Sequence, residues 1–311
     1  MRVTANAFPN SLVDELNKLA IQQNRLQNQA ATGQRIQLPA DDPAGMRRVL
    51  DLQSQSQQLG QYLKNIGAMQ DQANASYGDM KGLKTISDRA GEIATLADGT
   101  KAPADLANYA TEVTQLIKQA VQTANAQYNG HYLFGGTKSD QPPFVMTTDA
   151  NGRVTSVTYQ GNSSVAANEI ASGVTLSVQT VGENTTGSGP RGLITDSQSG
   201  ADFFNHLISL QNNLANADSA AVAATDRPQL AKDEENLLYH FATVGAVLGR
   251  LDATASQGGQ QTDALQAAVS KVADADLSQT LVRLNQTQTA YQAALQSGAR
   301  IMGQSLLDYL H

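Results

Sequence analysis

Two stretches of the chain repeat their apolar residues in alternating four- and three-residue steps. Near the start the rhythm runs through Leu12, Leu16, Leu19, Gln23, Leu26 and Ala30. Near the end it runs through Leu277, Leu281, Leu284, Gln288, Tyr291 and Leu295, and continues to Met302, Leu306 and Leu310. A period of about 3.5 residues draws a narrow stripe, the seam of a coiled coil rather than the broad face of a globular helix. Both ends of the chain therefore predict seam-forming helices. Gln23 and Gln288 interrupt the stripe with a polar group. Such a residue either fixes the register from inside the seam or faces solvent where the seam drifts.

Between these ends the pattern stays helical from Ala44 to Leu96 and again from Ala104 to Tyr128. Gly60, Gly67, Gly78 and Gly82 weaken the first of these runs and predict kinks. The period then shortens to two. "HYLFGG", "PFVMTT", "RVTSVTY" and "VTLSVQTV" are β-branched or aromatic runs separated by turn signals such as "DANG", and predict a small antiparallel region over 131–182. "GENTTGSGPRG" reads as a polar linker leading out of it. Helical patterning returns at "ADFFNHLISLQNNLANA" and continues through Leu237, Phe241, Val244, Leu248 and Leu251. The expected fold is mainly α: long coiled-coil-like helices from both termini packed together, with an antiparallel β domain inserted between them. The segments are 1–42, a seam helix and joint; 43–130, a long helical stretch; 131–195, the β-rich insert; 196–256, the returning helices; and 257–311, the second seam helix. Lying outside both seams, the insert should be partly dispensable.

The joint is the stretch "GQRIQLPADDPAG", residues 33–45. Gly33 can take the positive φ that ends a helix, Asp42 can accept from the orphan N–H groups that begin the next, and Pro43 at its first position has no N–H to waste. Asp41 and Asp42 together invite a catalytic or metal-binding reading. Adjacent side chains diverge, however, and no histidine or third carboxylate stands at nearby helical spacing, so capping is the expected role.

Composition sharpens this picture. In 311 residues there is no Trp, with six Phe and nine Tyr among 41% hydrophobic residues. That suits long, thin packing, with apolar surface buried against other chains. The net charge of −7 without a basic cluster removes the counterion-release drive for nucleic-acid binding. Cysteine is absent, which excludes thiolate metal sites and nucleophiles. No apolar run approaches a membrane span, and the first residues lack the apolar core of a cleaved secretory signal. His131, His206, His240 and His311 have no metal-binding spacing. "GSGPRG" matches a phosphate-loop pattern but follows a polar linker rather than a strand. No serine elbow occurs. Neither enzyme activity, nor a cofactor, nor a metal is expected.

Three segments carry a family resemblance. "AATGQRIQLPADDPAG" resembles the N-terminal helix joint of the flagellin superfamily, "VGAVLGRLDA" (244–253) the matching C-terminal segment, and "DADLSQTLVRLNQTQTAYQAALQ" (274–296) its C-terminal coiled-coil helix. The likeness covers roughly 1–135 and 200–311. "NGHYLFGGTKSDQPPF" (129–144) and the ending "SLLDYL" (305–310) are similar to the branch of that family found at the hook–filament junction, although His311 departs from that ending. The resemblance implies a secreted structural subunit of the flagellum, exported through the type III machine without a cleaved signal. It implies self-assembly in a ring or helical layer, contact with a neighbouring hook-associated protein and with flagellin, and a cytosolic export chaperone on the C-terminal helix. Filament flagellin is the alternative, and a phage-tail or adhesin-like fibre a more distant one.

Overall fold

In a computed structural model the described residues are 7–308, with side chains from 11 to 300. Met302, Leu306 and Leu307 as side chains, and Tyr309, Leu310 and His311 entirely, lie outside the described residues. The helical periodicities become α1 (Ala7–Thr32), α2 (Pro43–Leu96) and α3 (Pro103–Ala124) before the strands. After the strands come α4 (Phe203–Ala215), a short α5 (Ser219–Ala221), α6 (Arg227–Ala273) and α7 (Leu277–Asp308). The glycines of α2 do not break it. Gly82 instead lets α3 come close, since a Cβ there would lie 3.2 Å from the Thr123 Cγ2.

α3 ends four residues before the expected Tyr128, because local turn chemistry takes over. β1 (Gln127–Tyr128) pairs antiparallel with β2 (His131–Tyr132) across Asn129–Gly130, whose φ values are +51° and +82°. An Asn-Gly pair is the sequence that a two-residue turn with both φ positive demands. β3 (Phe144–Thr148) and β4 (Val154–Tyr159) form a hairpin around "DANG". There the Asp149 carboxylate accepts from the N–H of Asn151 at 2.9 Å and of Arg153 at 2.8 Å. β5 (Asn168–Ala171) and β6 (Val174–Leu176) form a third antiparallel pair.

The last sheet corrects two expectations. β7 (Val181–Asn184) runs parallel to β8 (Gly192–Asp196), and β8 pairs antiparallel with β9 (Ala201–Asp202). The region is therefore not purely antiparallel, and "GENTTGSGPRG" is not an exit from it but the arch joining its strands. Parallel neighbours ordinarily need a crossover of a dozen residues or more. Here the arch folds on the buried Asn184, whose amide donates to the carbonyls of Ser188 at 2.8 Å and Pro190 at 2.7 Å while its oxygen accepts from the Thr186 N–H at 3.0 Å.

The chain divides into two compact units, residues 59–259 and residues 1–58 with 260–311, and α2 and α6 pass from one to the other. In the 59–259 unit one core joins helices and strands. Ile66, Met80 and Ile93 of α2, Val113 and Ile117 of α3, and Phe203 and Leu207 of α4 meet Phe134, Phe144, Leu193 and Ile194. The strands are thus not a peripheral insert. Phe144 stands at their centre, 5.2 Å from Tyr159 and 5.3 Å from Phe204, ring to ring.

Buried polar groups stitch this unit together. Gln211 of α4 accepts from Thr114 Oγ1 at 2.9 Å and donates to the Val154 carbonyl at 3.0 Å, tying α3 and the β3–β4 hairpin to one side chain. A π-turn at Val222–Asp226 carries the buried Asp226, which accepts from Ser209 at 2.7 Å and Asn213 at 2.8 Å on α4. Asn236 and His240 of α6 both reach the Gly192 carbonyl, at 2.8 and 3.1 Å. Removing one partner of such a buried pair leaves an unsatisfied group costing about 1–3 kcal/mol, so each pair selects one packing strongly.

Candidate functional site

The residues singled out by their pattern gather in the unit of the two terminal segments, as a joint and a helix pair. At the joint Gly33 has a φ of +72°, and its N–H returns to the Gln29 carbonyl at 2.9 Å, closing α1. Asp42 then opens α2, its Oδ1 accepting from the Gly45 N–H at 2.9 Å with Pro43 as the first helical residue. Asp41 has a separate task. Its Oδ2 accepts from the N–H groups of Leu38 at 3.0 Å and Gln37 at 3.2 Å, and Arg25 of α1 lies 3.5 Å from its other oxygen. The two acids face different donors, as adjacent side chains do, and share no proton.

The backbone donors hold both carboxyls below their usual range. For Asp41 these are Leu38 and Gln37, with the Arg25 charge adding less; for Asp42 it is Gly45, with Arg35 adding less. Arg35, which the sequence reading passed over, fastens the joint. Its guanidinium donates to Asp42 at 3.3 Å and to the Val272 carbonyl at 2.8 Å. Backbone bonds repeat the link, from Arg35 N–H to the Ala273 carbonyl at 2.6 Å and from Ala275 N–H to the Gly33 carbonyl at 2.8 Å. A short antiparallel bridge, Gln34 with Asp274, thus lies beside both helix breaks. Asp276 is a second overlooked residue. It caps α7 by accepting from the Gln279 N–H at 3.1 Å, and an Asp immediately before the helical run was its available signal.

α1 packs along α7. On α1 the stripe read from the sequence, Leu12, Leu16, Leu19, Gln23, Leu26 and Ala30, is turned from solvent, with Ala20 and Gln29 beside it. On α7 the phase differs. The residues turned inward are Thr280, Leu284, Thr287, Tyr291, Ala294 and Gly298. Leu277, Leu281 and Leu295 remain 48%, 51% and 45% exposed. At about 100° per residue, the inward face is rotated roughly 60° from the leucine stripe, sharing only Leu284 and Tyr291 with it. The reason is size. A Cβ at Gly298 would collide with the Leu12 side chain, so α7 turns its Thr280, Thr287, Ala294 and Gly298 edge, rather than Leu277, Leu281 and Leu295, to α1. Gln23 is half-buried within this seam and Gln288 half-buried at its edge.

Among the described residues, no three His, Cys, Asp or Glu side chains gather to hold a metal, and no helix is long and apolar enough to cross a membrane. His206 and His240 serve the 59–259 unit separately, His206 through a 2.8 Å bond from Nδ1 to the buried Asp233. "GSGPRG" is the arch between β7 and β8, far in kind from a strand-to-helix phosphate loop.

Comparison with known proteins agrees with this layout of paired termini. The N-terminal helical region of bacterial flagellin matches residues 3–139, and its C-terminal helical region matches residues 235–310. The flagellar hook-associated protein 3 of Escherichia coli is 24% identical over 294 residues, covering 90% of each chain. Among solved structures, a flagellar hook-associated protein from Vibrio parahaemolyticus superposes with a TM-score of 0.64 at 20% identity, over 75% of this chain and 100% of that one. The hook-associated protein-3 of Legionella pneumophila gives 0.58 at 14%, over 71% and 98%. These structures share the fold. With both helical regions matched around the inserted strands, the chain belongs to the flagellin superfamily.

Proposed function

We propose that the chain is a structural subunit of the bacterial flagellum, assembling at the hook–filament junction to connect hook to filament. The similarity to hook-associated protein 3, over 90% of each chain, supports that position within the superfamily. The observation that carries the assembly reading is the two-sided α7. Its small face serves α1, while Leu277, Leu281 and Leu295 are left in solvent on a helix pair with little core of its own. Burying a leucine side chain is worth about 1.5–3 kcal/mol before ordering costs are charged, so a row of them exposed on a thin helix pair favours association. Repeated around a closed or helical layer of identical copies, such contacts multiply.

The self-assembly surface is then the exposed row Leu277, Leu281 and Leu295 of α7, whose repeat the sequence continues through Met302, Leu306 and Leu310, while Leu12, Leu16, Leu19, Gln23 and Leu26 with Leu284, Gln288 and Tyr291 belong to the seam between α1 and α7 within one subunit. Neighbours of other kinds are an adjoining hook-associated protein on one side and flagellin on the other. The export route is the one the family resemblance implies, and the physics suits it. A two-helix seam this thin is marginal in isolation, which suits a subunit passed unfolded through the type III channel with a cytosolic chaperone covering its C-terminal helix. The subunit then works outside the cell.

Electron microscopy of a strain lacking the chain tests the reading. The expected phenotype is hooks without filaments, with flagellin lost to the medium. Intact filaments would sink it, and loss of filaments with no secreted flagellin would identify the chain as filament flagellin instead.

A further inference from the structure

The charge of the chain is divided unevenly between its two units. Residues 59–259 hold twelve Lys and Arg against nineteen Asp and Glu, and so carry the entire net charge of −7. Residues 1–58 with 260–311 balance nine against nine. Within that balanced unit three of the nine cations stand around one opening. A cleft of about 500 Å³ opens where the first turns of α2 face the last turns of α6, lined by Arg35, Arg48 and Lys271 around Ala44, Gly45 and Ala268. Its one carboxylate, Asp42, is already engaged by the Gly45 N–H and Arg35. Arg48 and Lys271 are exposed, and neither has an ion-pair partner among the described residues. The first turn of α2 adds the partial positive charge of its N–H groups to the same opening.

We propose that this cleft receives a carboxylate-bearing surface of the 59–259 unit of a second copy. The inference rests on the self-assembly reading above and names the partner of one face. Charge complementarity selects the pairing. A two-fold contact of like with like would set Arg48 and Lys271 against themselves, or one acidic unit against another, and both arrangements repel. Setting the cationic cleft of one copy against the acidic unit of the next is attractive. Two different patches meeting in this way without reciprocation make a head-to-tail contact, the kind that closes into a ring or extends as a helix. The unpaired cations thereby gain partners, and the surplus of acid on the other unit is partly neutralised at each step of growth.

The test uses cells whose own copy is replaced by the chain with a photo-cross-linking residue in place of Ala44, an exposed position on the cleft. A control carries the same residue in place of Leu281. Illuminated flagella are purified, and adducts are mapped by mass spectrometry. The expected adduct joins Ala44 to a residue between 59 and 259 of a second copy. An adduct from Ala44 to residues outside that range, to another protein, or to nothing while Leu281 cross-links, overturns the inference alone. Absence of the chain from the purified flagella overturns the proposed function and the inference with it. In a second arm the double variant Arg48→Glu with Lys271→Glu is compared with Arg48→Lys with Lys271→Arg. Loss of incorporation in the first and retention in the second is expected, with circular dichroism confirming that both fold. Normal incorporation of the charge-reversed variant overturns the inference.

Discussion

Asp42 illustrates how a single side chain serves two helices. One oxygen caps α2 through Gly45, and the other holds Arg35, which in turn holds the Val272 carbonyl. Asp42→Asn keeps an acceptor for the cap but loses the ion pair, whereas Asp42→Ala loses both. Hydrogen exchange at the Gly45 amide should therefore accelerate several-fold in the Ala variant and little in the Asn variant, the order expected of a capping interaction. Equal acceleration in the two would assign the bond to the charge instead. Because the carboxyls of Asp41 and Asp42 are held below their ordinary range, their contribution is complete above about pH 4 and is lost as the pH falls below it. His206 has the opposite sign. Burial disfavours its charge, but the Asp233 hydrogen bond and carboxylate outweigh it and raise the imidazole above its usual value, while burial pushes the Asp233 carboxyl up as well. The histidine's share of this pair's stability is full below about pH 6.5 and is lost as the pH rises through its raised value. Urea midpoints should fall between pH 6 and pH 8 in the native chain and less so in Asp233→Asn; an unchanged slope in the variant would place the effect elsewhere.

At the scale of elements, α7 shows that a heptad can be legible while its partner is not. The leucine repeat is plain in the sequence, but the face that α1 occupies is set by the small residues beside it. Gly298→Val tests this directly. Its branched Cβ would strike Leu12, and overpacking of this kind costs about 1–3 kcal/mol. Filament retention under shear should fall in the variant, with the urea midpoint of the 59–259 unit unchanged. Undiminished retention would mean that the two helices need not come so near. The joint resists substitution for a similar reason. A Cβ on Gly45 would stand 2.5 Å from Ile36 Cδ1 and 2.6 Å from the Asp42 carboxylate, so the cap and a bulkier residue cannot share that turn.

For the whole molecule, the strands between the helices are part of the 59–259 core rather than an appendage. Phe144, Val154, Leu193 and Ile194 are buried against residues of α2, α3 and α4, and Gln211 anchors the β3–β4 hairpin. Replacing residues 136–195 with a short Gly/Ser loop should expose Phe203, Phe204 and Leu207 and abolish cooperative unfolding of that unit, checked by near-ultraviolet circular dichroism and a urea titration. A cooperative transition in the shortened chain would restore the simpler picture of a dispensable insert. Deleting such a cluster removes many side chains worth about 1.5–3 kcal/mol each, more than a domain's net stability can absorb.

The sequence by itself determined the helices, the joint and the class of protein. The helices and the joint depend on interactions a few residues apart: apolar repeats, Gly33 at a helix end, Asp42 before Pro43, "DANG" at a turn; the class follows from the segments that resemble a known family. Even the strand segments were visible as alternating runs. The tertiary structure decided what no local pattern encodes. It set the phase of α7, because which face of a heptad is buried depends on the shape of α1 opposite it. It paired β7 with β8 in parallel, because Asn184 folds the arch back on itself. It brought Arg35 to Val272 and Gln211 to Val154, pairs separated by 237 and 57 positions in the chain. Such bonds are fixed only when the chain has closed and each buried polar group must find a partner or go unpaired at a cost.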